Sequence, residues 1–298
     1  MVKNDLVRCH VWLVDILVEK GSLTREEIMD LWLRTELSGG VDIPKSTFHR
    51  WRDEIFKQWG IEIVCERKGS RYYVRNMDEL NVSSMKRWMF QVTAFSNLLR
   101  GNLGLQKRIF MEKFSSNQEI MESIIRAMSS NQMVKLVYQR YEDNQEKEVT
   151  AEPYFIKMYK QRVYSFMRLE SGYICPYALD RMKSITILDT KYEMDEGFDA
   201  ETFFEHCYGI VNKKSVKPEK VVLKAYDTEH CYLRDLPPHH SQRYLGKEED
   251  YHLFEYFISP TLDFMGFILS RGDRLVVKEP KWLAQEIVKM HLGAVKKY

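Results

Sequence analysis

The sequence predicts a multidomain α+β chain, and three patterns along its 298 residues predict it. Helical periodicity followed by a short basic hairpin fills residues 1–77. Five short runs rich in β-branched and aromatic residues, separated by turn-rich pieces, occupy 131–195. From 216 to 298 the order is strand, helix, strand, strand, helix, strand, with a last helix behind it. A helical connector over 78–130 and a looser linker over 196–215 join these three modules. A chain of this length ordinarily divides into two or three domains.

Each element has a local cause. A first helix over roughly 6–20 carries Val7, Val14 and Leu17 on one face and stops at Gly21. The second opens at Thr24 and Glu27, spaced as a capping box, with Leu23 and Ile28 at the spacing of a hydrophobic staple. Ile28, Leu31 and Trp32 form its core side, and Ser38-Gly39-Gly40 breaks the chain. The third helix begins in the run from Ile43 to Arg52, where Pro44 suits a first turn because its φ is preset and it has no N–H to leave unpaired. At about 100° per residue, Phe48, Trp51, Ile55 and Trp59 share one stripe, with Ser46, Arg50, Asp53 and Lys57 opposite. Two β-rich runs, 61–66 and 71–75, are joined by Arg67-Lys68-Gly69-Ser70. Three helices and a wing make the winged helix-turn-helix layout.

Charge divides along the same lines. Residues 1–42 hold five Lys/Arg against eight Asp/Glu, whereas 43–75 hold eight against four. Positive charge thus gathers on the helix and hairpin that would meet phosphates. Lys45, Ser46, Thr47, His49 and Arg50, with Arg67, Lys68 and Arg71 of the wing, are the candidate DNA-binding residues. Arginine pairs bidentately with guanine, and hydroxyls and amides suit phosphate.

The connector carries an apolar stripe of Trp88, Val92, Phe95 and Leu99, expected in the core, and six basic residues against one acidic over 82–116. Ser116 and Glu119 have capping-box spacing ahead of Ile120, Ile124, Ile125 and Met128. The runs 133–138, 149–159, 162–169, 173–177 and 183–188 read as five strands of a small barrel. The last module, with strands near 217–226, 241–245, 251–258 and 274–278 and helices over 228–236 and 260–270, reads as ferredoxin-like.

Composition narrows the function classes. With 44% apolar and 30% charged residues, the chain has neither a disordered nor a membrane profile. No apolar run nears the roughly 20 residues that span a bilayer, and the N-terminus lacks a signal-peptide pattern, so a cytoplasmic location is expected. Cys9, Cys65, Cys175, Cys207 and Cys231 are scattered without a C-x-x-C pair, which speaks against a disulfide framework or a zinc knuckle. His239-His240 has no neighbouring ligand to complete a metal site, and His206-Cys207 lacks an orienting third group for catalysis. No Walker or dinucleotide glycine motif is present. Neither a metal, a cofactor nor a catalytic residue is expected.

The run Lys160-Gln161-Arg162-Val163-Tyr164-Ser165, followed by Tyr177-Ala178-Leu179-Asp180-Arg181-Met182, resembles the WYL-domain family of bacterial transcriptional regulators. Tyr138 and Pro153 fall where that family has an aromatic strand residue and a proline. Leu236 to Gln242, Pro260 to Phe264 and Leu269 to Asp273 look like the extension that commonly comes after the domain. The resemblance implies an Sm-like barrel that binds a ligand of nucleic-acid or nucleotide type. It also implies Arg162, Tyr164 and Arg181, with Tyr138, as the ligand-binding residues. Val163 and Ser165 stand where the naming motif has tryptophan and leucine. Two guanidiniums beside a tyrosine suit an anion, although Arg181 could instead pair with Asp180 or cap a turn.

These readings converge on a ligand-responsive, DNA-binding transcription regulator rather than an enzyme. A single winged helix covers little DNA, so a homodimer on a double-stranded operator is expected, with an anionic ligand setting the relation of its two heads. The alternative is a nucleic-acid-processing enzyme targeted by the winged helix, which would need clustered carboxylates for metal-assisted hydrolysis.

Overall fold

The computed structural model describes residues 3–66, 70–75, 88–89, 92–93, 95–96, 108, 117–141 and 145–298, with side chains from residue 6 onward. Its backbone divides into two compact units, Met1–Met111 and Glu112–Tyr298. The architecture is mixed α+β, with three antiparallel sheets among the described residues.

In the first unit, α1 (Lys3–Lys20), α2 (Arg25–Leu33) and α3 (Lys45–Trp59) surround one apolar core beside the strands β1 (Leu23–Thr24), β2 (Ile63–Cys65) and β3 (Arg71–Val74). β3 lies between β1 and β2 in the sheet. The capping box forms as expected: Glu27 N–H donates to the Thr24 hydroxyl, and Thr24 N–H donates to the Glu27 carboxylate at 2.7 Å. Leu23 and Ile28 share the core. The turn into α3 is pinned from outside, because Trp32 donates its indole N–H to Val41 O and Arg25 donates to Ile43 O, each at 2.8 Å. Pro44 is the N-cap of α3 rather than its first helical residue.

Phe48, Trp51 and Ile55 are almost wholly buried, and Trp59 packs at the margin of the same core. Behind them stands a residue absent from the expected core, His10, which is 1% exposed and meets Trp51 and Trp59 edge-on at 5.9 and 5.8 Å. Trp88, Val92 and Phe95 depart from expectation in the other direction. All three are exposed, at 49, 43 and 48%, rather than in the core, and Leu99, the fourth residue of that stripe, lies outside the described residues.

The first described element of the second unit is α4 (Gln118–Ser130), capped by Asn117, whose side chain accepts from Ile120 N–H. The cap is thus one residue later than the Ser116 spacing suggests, and Ser116 lies outside the described residues. Strands β4 (Gln132–Gln139), β5 (Glu146–Tyr159), β6 (Arg162–Arg168), β7 (Ile174–Ala178) and β8 (Met182–Lys191) form a sheet in the order β7-β6-β5-β4-β8. β5 serves two neighbours in succession: Glu146–Ala151 pairs with β4, and Glu152–Tyr159 with β6. The handover falls between Ala151 and Glu152, next to Pro153, which has no N–H for a ladder, and the register shifts between Pro153 and Phe155. One long strand can therefore turn the sheet around the core contributed by Ile120, Ile124 and Ala127 of α4. Among the described residues no ladder joins β7 to β8. A 3-10 turn, Leu179–Arg181, connects these two edge strands instead.

Residues 196–215 do more than span a gap. The short helix α5 (Ala200–Phe203) brings Phe198, Phe203 and Phe204 onto Phe155 and Phe166, which stack at 4.6 Å. The segment then locks onto the C-terminal module. Asp263 accepts from the backbone N–H groups of Ile210 and Val211 at 2.8 and 3.0 Å, and a β-carbon on Gly209 (φ +80°) would sit 2.4 Å from that carboxylate.

The remaining elements are β9 (Glu219–Tyr226), α6 (Glu229–Asp235), β10 (Arg243–Glu248), β11 (Tyr251–Ile258), α7 (Leu262–Leu269), β12 (Leu275–Glu279) and α8 (Lys281–Val295). The sheet order is β10-β11-β9-β12. Among the described residues no helix is long and apolar enough to cross a membrane.

Candidate nucleic-acid interface and ligand site

The surface of α3 is set by which of its residues the core takes. With Phe48, Trp51 and Ile55 facing inward, Lys45, Ser46, His49, Arg50 and Asp53 are left exposed and Thr47 half-buried. No side chain caps the helix, because the N-cap is a proline. The first-turn N–H groups of Lys45, Ser46 and Thr47 therefore carry the positive end of the helix dipole beside a lysine and an arginine. That arrangement suits a phosphate.

Two other arginines near this surface hold structure together. Arg52 donates through Nε and Nη2 to Ile63 O at 2.9 and 2.6 Å and lies over the Tyr72 ring, fixing α3 to β2 and β3. Arg71, a candidate wing contact, donates to Ser22 Oγ, Ser22 O and Glu27, so its guanidinium ties β3 to the start of α2. Arg67 and Lys68 lie outside the described residues.

In the second unit the β4 end, the β6 start and the 3-10 turn bring Arg162, Arg181, Tyr141 and Asp180 together. Arg162 pairs with Asp180 through Nε at 3.1 Å and donates through Nη2 to the Tyr141 hydroxyl at 2.5 Å. Arg181 donates twice to Gln139 O, at 3.1 and 2.7 Å, which stations its guanidinium 3.7 Å from the centre of the Tyr141 ring and 5.0 Å from that of Tyr138. Of the two structural roles open to Arg181, pairing with Asp180 falls to Arg162, while Arg181 holds a backbone carbonyl at the turn. The hydrogen bond from Arg162 to Tyr141, with Asp180 beside it, holds the Arg162 pKa above its ordinary value.

Residues 119–187 match the family model of the WYL domain. The chain carries a WYL domain. Within it, Val163, at the naming tryptophan's position, points into the core at 2% exposure, while Arg162 and Tyr164 alternate onto the other face of β6. Tyr164 is half-buried against the aromatic cluster. Tyr138 is 6% exposed; its hydroxyl accepts from Ala178 N–H at 3.3 Å and its ring meets Tyr177 edge-on, so it is used inside the fold. Burial raises its pKa. Tyr141, which the motif does not include, takes the exposed place in the cluster.

Two solved structures are similar across nearly the whole chain. Proteasome accessory factor B/C (PafBC) of Arthrobacter aurescens shows 15% identity over 95% of this chain and 46% of its own, with a TM-score of 0.34. A CRISPR Cas-related protein shows 12% identity over 100% of this chain and 81% of its own, with a TM-score of 0.38. The chain spans less than half the length of the PafBC chain. No curated protein matches it.

Arg168, elsewhere on β6, is a structural clasp. It bonds Glu152 and Asp195, donates to Glu193 O and lies 4.8 Å over the Tyr154 ring. His239 is buried and its imidazole is held down to about 4 by that burial, with His240 adding to it. His206 and Cys207 belong to the join between α5 and β11, where Ser259 N–H donates to His206 O. Among the described residues no group of three or more His, Cys, Asp or Glu stands together as a metal site.

Proposed function

We propose that this chain is a DNA-binding transcription regulator that acts as a homodimer on a double-stranded operator, and that its WYL domain senses an anionic ligand of nucleic-acid or nucleotide type. The WYL-domain match supports the regulator class. The observation that carries the reading is α3: its aromatic stripe is consumed by the core, and its uncapped, basic first turn is left exposed. The order α1-β1-α2-α3-β2-β3, with β3 between the other two strands, supports a winged helix-turn-helix. The two-way pairing of β5 supports the Sm-like reading of 131–195, and the order β10-β11-β9-β12 supports the ferredoxin-like reading of 216–298. Trp88, Met89, Val92 and Phe95, exposed at helical spacing, supply an apolar stripe for pairing two copies. On this reading the chain is not an enzyme.

The ligand site is the Arg162–Arg181 cluster, whose guanidiniums stand beside one exposed tyrosine. Control requires that the ligand favour one arrangement of the dimer over another. The test is operator affinity, on duplex selected from a random pool, with and without a short single-stranded DNA. The single strand is expected to shift wild-type affinity by roughly 5- to 150-fold, and Arg181→Ala to bind the operator as wild type but without the response. An operator affinity that no single strand or nucleotide alters removes the sensor role and leaves DNA binding standing.

A further inference from the structure

We infer that Tyr141, a residue outside the motif, is the stacking platform for one unpaired nucleobase of the ligand of the WYL domain. The inference rests on the proposed ligand site and adds the feature that selects among anions. Tyr141 is 72% exposed. A surface tyrosine of that exposure ordinarily samples several rotamers, and ordering it costs free energy on binding. Here two arginines have already ordered it. Arg162 holds the hydroxyl from the ring edge at 2.5 Å, and Arg181 covers one ring face at 3.7 Å.

The arginines are themselves fixed, Arg162 by Asp180 and Arg181 by two bonds to the Gln139 carbonyl. A fully solvated tyrosine needs no such scaffold. With the Arg181 guanidinium 3.7 Å and the Arg162 guanidinium 5.7 Å from the ring centre, 72% exposure still leaves much of the ring open to solvent. Guanidiniums against the ring and exposed, oriented π-surface beside them make half of a stack. The planar group that completes it is a base, because bases stack on aromatic side chains whatever their sequence and bring a phosphate within reach of the same arginines. A duplex presents no free base face, so the partner is single-stranded or mononucleotide. Tyr138, buried, and Tyr164, packed in the aromatic cluster, do not offer such a face.

The test uses the full-length protein and a short single-stranded DNA bearing one 2-aminopurine, whose fluorescence is quenched on stacking. Wild type is expected to bind it with quenching. Tyr141→Phe keeps the ring and stays within a few-fold of wild type with the quench intact, whereas Tyr141→Ala loses the quench and roughly 5- to 150-fold in affinity. An oligonucleotide of equal length with an abasic site in place of the 2-aminopurine should bind wild type more weakly. Wild-type affinity and full quenching in Tyr141→Ala overturn the platform; if Arg181→Ala still weakens binding, the proposed ligand site survives that result. Failure of wild type to bind any single strand or mononucleotide removes both.

Discussion

Trp51→Ala is expected to unfold the N-terminal unit and abolish DNA binding while the WYL domain stays folded. Trp51 is 1% exposed at the centre of the α3 stripe, with Trp32 edge-on at 5.5 Å and His10 at 5.9 Å. Removing an indole from such a site costs about 3–5 kcal/mol in lost burial and cavity, against the roughly 5–15 kcal/mol that holds a typical domain together. A unit this small has little to spare. Because the chain divides into two compact units, thermal unfolding should show the first transition lost or shifted far down and the second unchanged. Trp51→Phe, which keeps an aromatic ring, should recover much of the loss. A variant with both transitions intact would show that α3 is not seated by its aromatic stripe.

Acid should destabilise the same unit through His10. Burial, with the Arg50 charge adding to it, holds this imidazole down to about 4 from an ordinary 6.5. The Glu54 carboxylate stands 3.4 Å from its Nε2, yet burial sets the direction of the shift. Between those two values the unfolded chain binds a proton that the folded chain refuses, so stability rises with pH across that window. The contribution is complete above pH 6.5 and disappears as pH falls toward 4, a loss of about 3 kcal/mol at roughly 1.4 kcal/mol per pH unit. Urea denaturation followed by tryptophan fluorescence reports mainly on this unit, which holds five of the six tryptophans, Trp12, Trp32, Trp51, Trp59 and Trp88. His10→Leu should flatten the slope between pH 4 and 6.5. An unchanged slope in that variant would place the acid sensitivity elsewhere.

Much of this was legible in the sequence because it is written in local periodicity. The Thr24–Glu27 capping box, the Phe48–Trp51–Ile55 stripe and the strand, helix, strand, strand, helix, strand order of the last module each depend on residues near one another in the chain. The features that were not legible depend on partners brought together from afar. Arg71 reads as a wing cation until folding sets it against Ser22, 49 residues away. Arg181 and Tyr141 meet only because β4 and the turn after β7 converge, and nothing in the motif around Arg162 signals that a tyrosine beyond the end of β4 completes the cluster. Tyr138 matches the family pattern by position, yet the hydrogen bond to Ala178 turns it inward. His10 sits on the apolar face of α1 with Val7, Leu13 and Val14 at helical spacing from it, and only its 1% exposure marks this polar ring as core.

The most direct test of the account is the binding of wild type, Arg50→Ala and Lys45→Ala to the selected operator and to random duplex, across a range of salt. If α3 reads DNA, Arg50→Ala costs ~1–3 kcal/mol on the operator and little on random duplex, while Lys45→Ala weakens both alike and lowers the salt slope by about 1. Unchanged binding of both duplexes by both variants would contradict it.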